Sequence, residues 1–462
     1  MLFCTWQFFA FLGVVLILHY TLPRVTRKYL LLAASYYFYM SWNAKFAVLL
    51  LALTGIDFAA GILLERLPSN RRKAALIGSL AANLGLLGFF KYYNFFADNM
   101  VFLLGLPPHR FAFDIVLPLG ISFHTFQSMS YVIDVYRGEQ RAIRNPVDYA
   151  LFISFFPQLT AGPIVRARQF FAGLAEWRAP SSEEWRRGGL LVLLGLAKKV
   201  ALADHFAPIA DQYFKDVVSH TGRWTAMTGV FAFDMQVFFD FSGYTDMAIG
   251  MALLLGFEFP ENFRRPYLSQ SVTEFWRRWH ISLSNWLRDY VWFPLGGNRH
   301  GLLATCSNLM LTMLLGGLWH GASWNFVVWG GWHGALLSAE YALGVRPGRH
   351  RYRWLAPFRI LLTFALVSMG WAFFRAKTLG DAGVVLKQIV LKGGGRSVCP
   401  SWLLCASAIA LLLAVLEERF GWFERVVRGP AWAYAATAAM LLFAAEVLAL
   451  VDTTVPFVYF QF

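Results

Sequence analysis

The chain has 462 residues, of which 58% are apolar, 17% aromatic and only 15% charged, and its net charge is +14. Soluble chains average roughly 25% charged and 45–50% apolar residues. A water-soluble enzyme, a disordered chain and a collagen-like fibre are therefore excluded, and lipid must be the solvent for much of the sequence.

The first apolar run, 6–22, has no basic stretch ahead of it and no small-residue cleavage site, so it is expected to stay in place as a membrane helix. Further runs follow at 29–41, 46–64, 74–96, 111–136, 188–204, 224–257, 302–319, 323–343, 356–375, 400–416 and 431–451. Together they predict an all-α integral membrane protein with about 11–12 transmembrane helices. The 29–41 run is short and the 224–257 run long, so either can tilt or divide into two pieces. No linker or fixed-period repeat interrupts the chain, and 1–462 is read as a single membrane domain.

Basic residues fall in short clusters between these runs, the pattern of loops held on the cytoplasmic side rather than of a nucleic-acid-binding face. Arg24, Arg27 and Lys28 place the first loop inside and Met1 outside. Arg66, Arg71, Arg72 and Lys73 follow two crossings later, and Arg137, Arg141 and Arg144 two crossings after that. The stretch 146–165, PVDYALFISFFPQLTAGPIV, then lies between two basic loops. Pro157, Gly162 and Pro163 would break a straight helix, so this stretch is expected to be re-entrant. The basic stretch 264–299 returns to the cytoplasmic side, the 375–396 loop falls outside despite its five basic residues, and the C-terminus ends outside.

Two stretches concentrate chemistry. In VTEFWRRWHISLSNWLRDY, 272–290, Trp276, His280, Leu283 and Leu287 share one helical face, as in an amphipathic helix at the cytoplasmic interface. Arg277 and Arg278 there can meet lipid phosphates or a phosphorylated ligand, and His280 can be a hydrogen-bonded core residue or a functional one. In LLGGLWHGASWNFVVWGGWHG, 314–334, His320 lies among Gly316, Gly317, Gly321, Ala322 and Ser323, small residues that let backbones or a ligand approach. A histidine at membrane depth is costly unless paired or working, so function is the default reading for His320. His333 lies about 220° further around a continuous helix and is read as structural.

Asp57, Asp234, Asp240, Asp246 and Glu446 also fall at membrane depth. The three aspartates spaced by six residues cannot line one helical face. They are read as packing partners, with an ion pathway as the alternative. Cys4, Cys306, Cys399 and Cys405 show neither metal-ligand spacing nor a disulfide framework, and no metal site is expected. No phosphate-binding loop, GxSxG or HExxH motif occurs. What remains is histidine among aromatics, which suits general-base activation of a hydroxyl in acyl transfer from an activated donor.

At these two stretches the chain resembles the membrane-bound O-acyltransferase (MBOAT) family, in the branch of alginate O-acetylation and teichoic acid D-alanylation proteins. The resemblance rests on FWRRWHISLSNWLRDYVWFPLGG (275–297) and GGLWHGASWNFVVWGGWHG (316–334). KYYNFF (91–96), LPLGISFHTFQSMSYVIDVYRG (117–138), FFPQLTAGPIVR (155–166) and FFDFSGYTDMAIG (238–250) support it. It implies a multi-helix fold with re-entrant segments around a central tunnel, with His320 as the catalytic histidine and His280 as the second motif histidine. It also implies a thioester donor, acetyl-CoA in the acetylating branch, used as a substrate with no permanently bound cofactor. Arg277 and Arg278 become candidates for the CoA phosphates. The last six residues, FVYFQF (457–462), are similar to a C-terminal element whose tyrosine, here Tyr459, can serve as an acyl relay; an interfacial aromatic anchor is the other reading.

The expectation is thus an O-acetyltransferase of the bacterial inner membrane. It would pass acetyl across the bilayer to a periplasmic SGNH-type acetyltransferase that modifies an exported polysaccharide. D-alanyl transfer to teichoic acid, a transporter or flippase, and a structural subunit of an export complex are the alternatives.

Overall fold

The structure is a computed structural model, and it describes residues 1–107, 111–160, 162–348, 353–397, 399–450 and 455–458. The described residues are overwhelmingly helical, with no strand among them. Five helices are long and apolar enough to cross a membrane: Phe46–Arg66, Ser69–Leu103, Gly301–His320, Ala356–Arg375 and Ser401–Phe420. Trp6–Thr21 and Ala431–Val447 are shorter apolar helices. Exposed large apolar side chains such as Trp6, Phe102, Leu303, Leu361 and Trp432 cover the outside, as lipid contact requires. The protein is an all-α, multi-pass membrane protein.

The chain folds as two compact units, one of residues 1–192 and 247–260, the other of 193–246 and 261–462. In the first, Arg24–Asn43 and Phe46–Arg66 pack on the helices Ser69–Leu87, Ile121–Arg137 and Pro146–Ser154. Asp57 is wholly buried there, its Oδ1 accepting from Ser79 Oγ at 2.6 Å and Asn83 Nδ2 at 2.8 Å. Its carboxylate is a packing partner inside a polar contact between neighbouring helices, as expected of a charged group away from water.

Two departures from the expected spans have local causes, and the long run is settled as well. Residues 111–120 do not join the following helix, which starts only at Ile121. Asn94 pairs with both backbone groups of Phe113, and Gly120 takes φ +69, so the chain turns before it coils. The loop 375–396 contains a helix, Leu379–Leu391, opened by Thr378, whose hydroxyl accepts the N–H of Asp381. That is an N-cap signal with an acid at the third position, missed in the sequence. The long 224–257 run is one unbroken helix, Arg223–Leu254.

The stretch 146–165 breaks into Pro146–Ser154 and Phe156–Leu159 before an irregular return to Ala167. Residues from Leu151 to Thr160 are buried, and Ser35 Oγ accepts the N–H of Phe156 at 3.1 Å. Such broken backbone needs protein around it, and protein is what surrounds it.

Candidate active site

His320 ends the helix Gly301–His320, and Trp324–Ala342 begins a few residues later. The two helices form a tight antiparallel hairpin. A Cβ at Gly317 would lie 2.2 Å from the Phe326 carbonyl oxygen, and one at Gly330 would lie 2.3 Å from that of Met313. Gly317 and Gly330 therefore serve backbone-to-backbone approach, while Gly321 makes room for the Phe326 ring. His320 is 4% exposed. Trp319 and Trp329 flank its ring at 5.0 Å between centroids, and Phe374 lies at 5.3 Å. Trp329 also touches Trp371, at 5.8 Å, which thickens this aromatic wall.

His280 does not sit within one amphipathic helix. The expected helix over 272–290 breaks into Val272–Arg278 and Ile281–Leu287, and His280 at the break takes φ 43, ψ 54. A left-handed histidine costs roughly 1–2 kcal/mol, so the break must be held from outside. Asn262 holds it. Its carbonyl accepts the N–H of Ile281 at 2.9 Å. Its side-chain Oδ1 accepts from Ser282 N–H at 3.1 Å, from Ser282 Oγ at 2.9 Å and from His280 Nδ1 at 3.2 Å. The backbone donor identifies the amide atom as oxygen, so Nδ1 is the donor in this contact. Periodicity could not show this, because Asn262 lies in a polar loop with no pattern of its own.

The first half-helix is fastened at its start. Glu340, on Trp324–Ala342, accepts the N–H groups of Val272 at 2.6 Å and Thr273 at 2.8 Å, two donors that helix starts leave unpaired. Val272 packs with Met313 and Leu337 below it. Substituting Asn262 with leucine strands Ser282 N–H and the His280 ring proton in an apolar interior. The expected loss is about 1–3 kcal/mol, read as a lowered Tm of the detergent-purified protein. An unchanged Tm would show that the break is held by something else.

The two histidines come together on one indole. Trp319 lies 6.0 Å from His280 and 5.0 Å from His320, centroid to centroid. His333 is fully buried, and its Nδ1 accepts from Trp276 Nε1 at 3.3 Å, a structural bond as expected. Arg278 is held by Glu274 at 2.7 Å and Glu418 at 3.0 Å, whereas Arg277 is exposed. The three aspartates of Arg223–Leu254 go to three separate partners. Asp234 accepts from Ser368, Asp240 pairs with Lys199 and Asp246 pairs with Lys198.

Tyr459 lies outside the described residues. Ahead of it Pro456 is exposed, whereas Phe457 and Val458 are both 0% exposed. Phe457 packs on Tyr244 at 4.5 Å and Phe241 at 5.8 Å, and Phe241 in turn meets the His280 ring edge-on at 4.7 Å. Lys199, Asp204 and Asn262, all part of this neighbourhood, carry no sequence signal that would have selected them.

A buried imidazole such as His320, enclosed by aromatic rings, can take and return a proton as a general base. Residues 139–346 match the membrane-bound O-acyltransferase family. Over 381 residues the chain is 45% identical to the probable alginate O-acetylase AlgI of Azotobacter vinelandii, covering 81% of this chain and 74% of that protein. It is 37% identical to the peptidoglycan O-acetyltransferase of Helicobacter pylori, over 82% of this chain and 77% of that one. The teichoic acid D-alanyltransferase of Bacillus subtilis is 28% identical, over 60% of this chain and 73% of its own. The span of that 45% match takes in both histidine motifs and the helices that carry them, and the chain belongs to the membrane-bound O-acyltransferase family, as a multi-pass acyltransferase.

Proposed function

We propose that this protein is an O-acetyltransferase of a bacterial inner membrane. It takes acetyl from cytoplasmic acetyl-CoA and delivers it at the outer face. A periplasmic SGNH-type partner then sets it on hydroxyls of an exported polysaccharide, alginate first among them. The observation that carries this reading is the convergence of His320, His280 and the buried Phe457 on one aromatic cluster. The relatives at 45% and 37% identity, named as O-acetylases or O-acetyltransferases, supply the acyl group.

In the proposed step, His320 removes the proton of an attacking hydroxyl as its oxygen bonds to the thioester carbonyl carbon. The carbon–sulfur bond then breaks, and the proton returns to the departing thiolate. Tyr459 supplies the hydroxyl, so the acetyl rests on its phenol oxygen before leaving to the partner. His280 orients the aromatic cluster through Trp319. Arg277, exposed near the break, is the better candidate for CoA phosphates, because Arg278 is already engaged by two carboxylates. A transporter or flippase is disfavoured by the intramembrane aspartates, whose individual partners suit packing rather than a path.

Tyr459→Phe keeps the ring and removes only the hydroxyl. It is expected to reduce polymer acetylation in cells by at least about a hundredfold at normal membrane levels, the scale of losing a covalent route. Wild-type acetylation in that variant would remove the relay from the mechanism and leave direct transfer.

A further inference from the structure

Lys199 is buried: its ammonium forms ion pairs with Asp204 Oδ1 and Asp240 Oδ1, each at 2.8 Å, and donates a hydrogen bond to the Val455 carbonyl at 3.1 Å. The second oxygen of Asp240 accepts the N–H of Val458 at 2.6 Å. Two charged side chains thus hold two backbone groups three residues apart, on either side of Pro456 and Phe457. The grip is on main-chain atoms, so it fixes where the chain runs whatever the side chains at 455 and 458. Upstream, His205 bonds the Leu448 carbonyl at 2.6 Å.

The local fold is shaped for this grip. Lys198–Ala203 is a wide π-helical turn between the helices Ser182–Ala197 and Asp204–Lys215. In a regular α-helix, Lys199 and Asp204 would point about 140° apart. The wider i→i+5 turn lets both face the same ammonium-binding point. Gly243 allows the approach of the helix carrying Asp240: a Cβ there would lie 2.7 Å from the Gly195 carbonyl oxygen. Charges buried in this way contribute little net stability, because desolvation offsets their attraction. Such groups are best attested where they fix a register.

We propose that Lys199, Asp204 and Asp240 form a clamp that sets the position of the C-terminal segment and so presents Tyr459 to the histidine site. This rests on the reading of Tyr459 as the acetyl-accepting hydroxyl. The three clamp residues are positioning residues and take no part in bond making.

The test uses Val458→Cys in full-length protein whose four native cysteines are replaced by serine. Its thiol should resist a water-soluble maleimide, and it should become labelled when Lys199→Met or Asp240→Asn is added. Asp240→Asn is isosteric and gives the same reading where Lys199→Met fails to accumulate. In the cysteine-free protein without the Val458 change, Asp240→Asn is expected to lower kcat for acetyl transfer about a hundredfold, the cost of a misplaced reacting group. Its KM for acetyl-CoA should stay within about twofold, because donor binding is untouched. Protection of the Val458→Cys thiol in both clamp variants would overturn the proposal, as would exposure with unchanged kcat. Normal acetylation in Tyr459→Phe would instead overturn the relay reading, while thiol exposure would still report whether the clamp holds the segment.

Discussion

Replacing His320 with alanine is expected to lower acetyl transfer by about 10²–10⁴-fold, the range for loss of a positioned general base. The loss should appear in kcat, with the KM for the thioester little changed, because the imidazole acts on the proton that moves in the transition state. The fold should survive. The ring lies in an aromatic box of Trp319, Trp329 and Phe374 that packs on Trp371 and Phe326 as well, so removing one imidazole leaves the walls in contact with each other. Polymer acetylation in cells, scaled to the amount of protein in the membrane, measures the effect. His320→Gln separates roles: it keeps a polar group of similar size but cannot carry a proton between partners. Equal activity in wild type and His320→Gln would assign His320 to packing.

A second large effect is expected where no chemistry occurs. At Gly330, an added methyl would lie 2.3 Å from the Met313 carbonyl oxygen, and backbone on a neighbouring helix cannot swing aside as a side chain can. Gly330→Ala must push the Gly301–His320 helix away, and His320 is the last residue of that helix. Overpacking of this kind costs typically 1–3 kcal/mol, and backbone contact belongs at the upper end. Gly331→Ala, one residue on, is the control. There the nearest atom is Leu314 Cδ2 at 3.6 Å, ordinary contact, and alanine is the better helix former. Gly330→Ala should lower Tm and acetylation together, while Gly331→Ala leaves both unchanged or raises Tm. Matching behaviour of the two variants would mean that the hairpin is not set by glycine contact.

The features legible along the chain were those carried by composition and by local chemistry. Length and hydropathy exposed the lipid-facing helices, since each must supply about 20 apolar residues to cross hydrocarbon. His320 stood out because an ionisable ring among glycines at membrane depth has few inexpensive explanations. The six-residue spacing of Asp234, Asp240 and Asp246 argued against one shared face, and each has its own partner on another element.

What misled was periodicity. Trp276, His280, Leu283 and Leu287 fit a helical face, yet the chain breaks at His280 because Asn262, eighteen residues earlier, offers one oxygen to three donors there. A hydrogen bond across that distance leaves no mark on a 3.6-residue pattern. The irregular 111–120 segment has the same origin, since Asn94 captures the backbone of Phe113 from nineteen residues away. The helix Leu379–Leu391 was hidden for the opposite reason: its signal is local, the Thr378 cap, but the basic residues of 375–396 read as a loop.

From residue types alone came the membrane, the all-helical class, the two histidine motifs and the family they resemble, because each depends on solvent preference or on neighbours a few positions apart. Only the folded chain decided that both histidines share Trp319, that His280 donates from Nδ1 to Asn262, and that Lys199 and Asp240 grip the backbone at Val455 and Val458. The hydrogen bonds among those contacts join residues between 18 and 256 positions apart, and in a close-packed interior such pairings follow from how helices approach one another, which in the Gly301–Ala342 hairpin is set by where glycine lets backbone meet backbone.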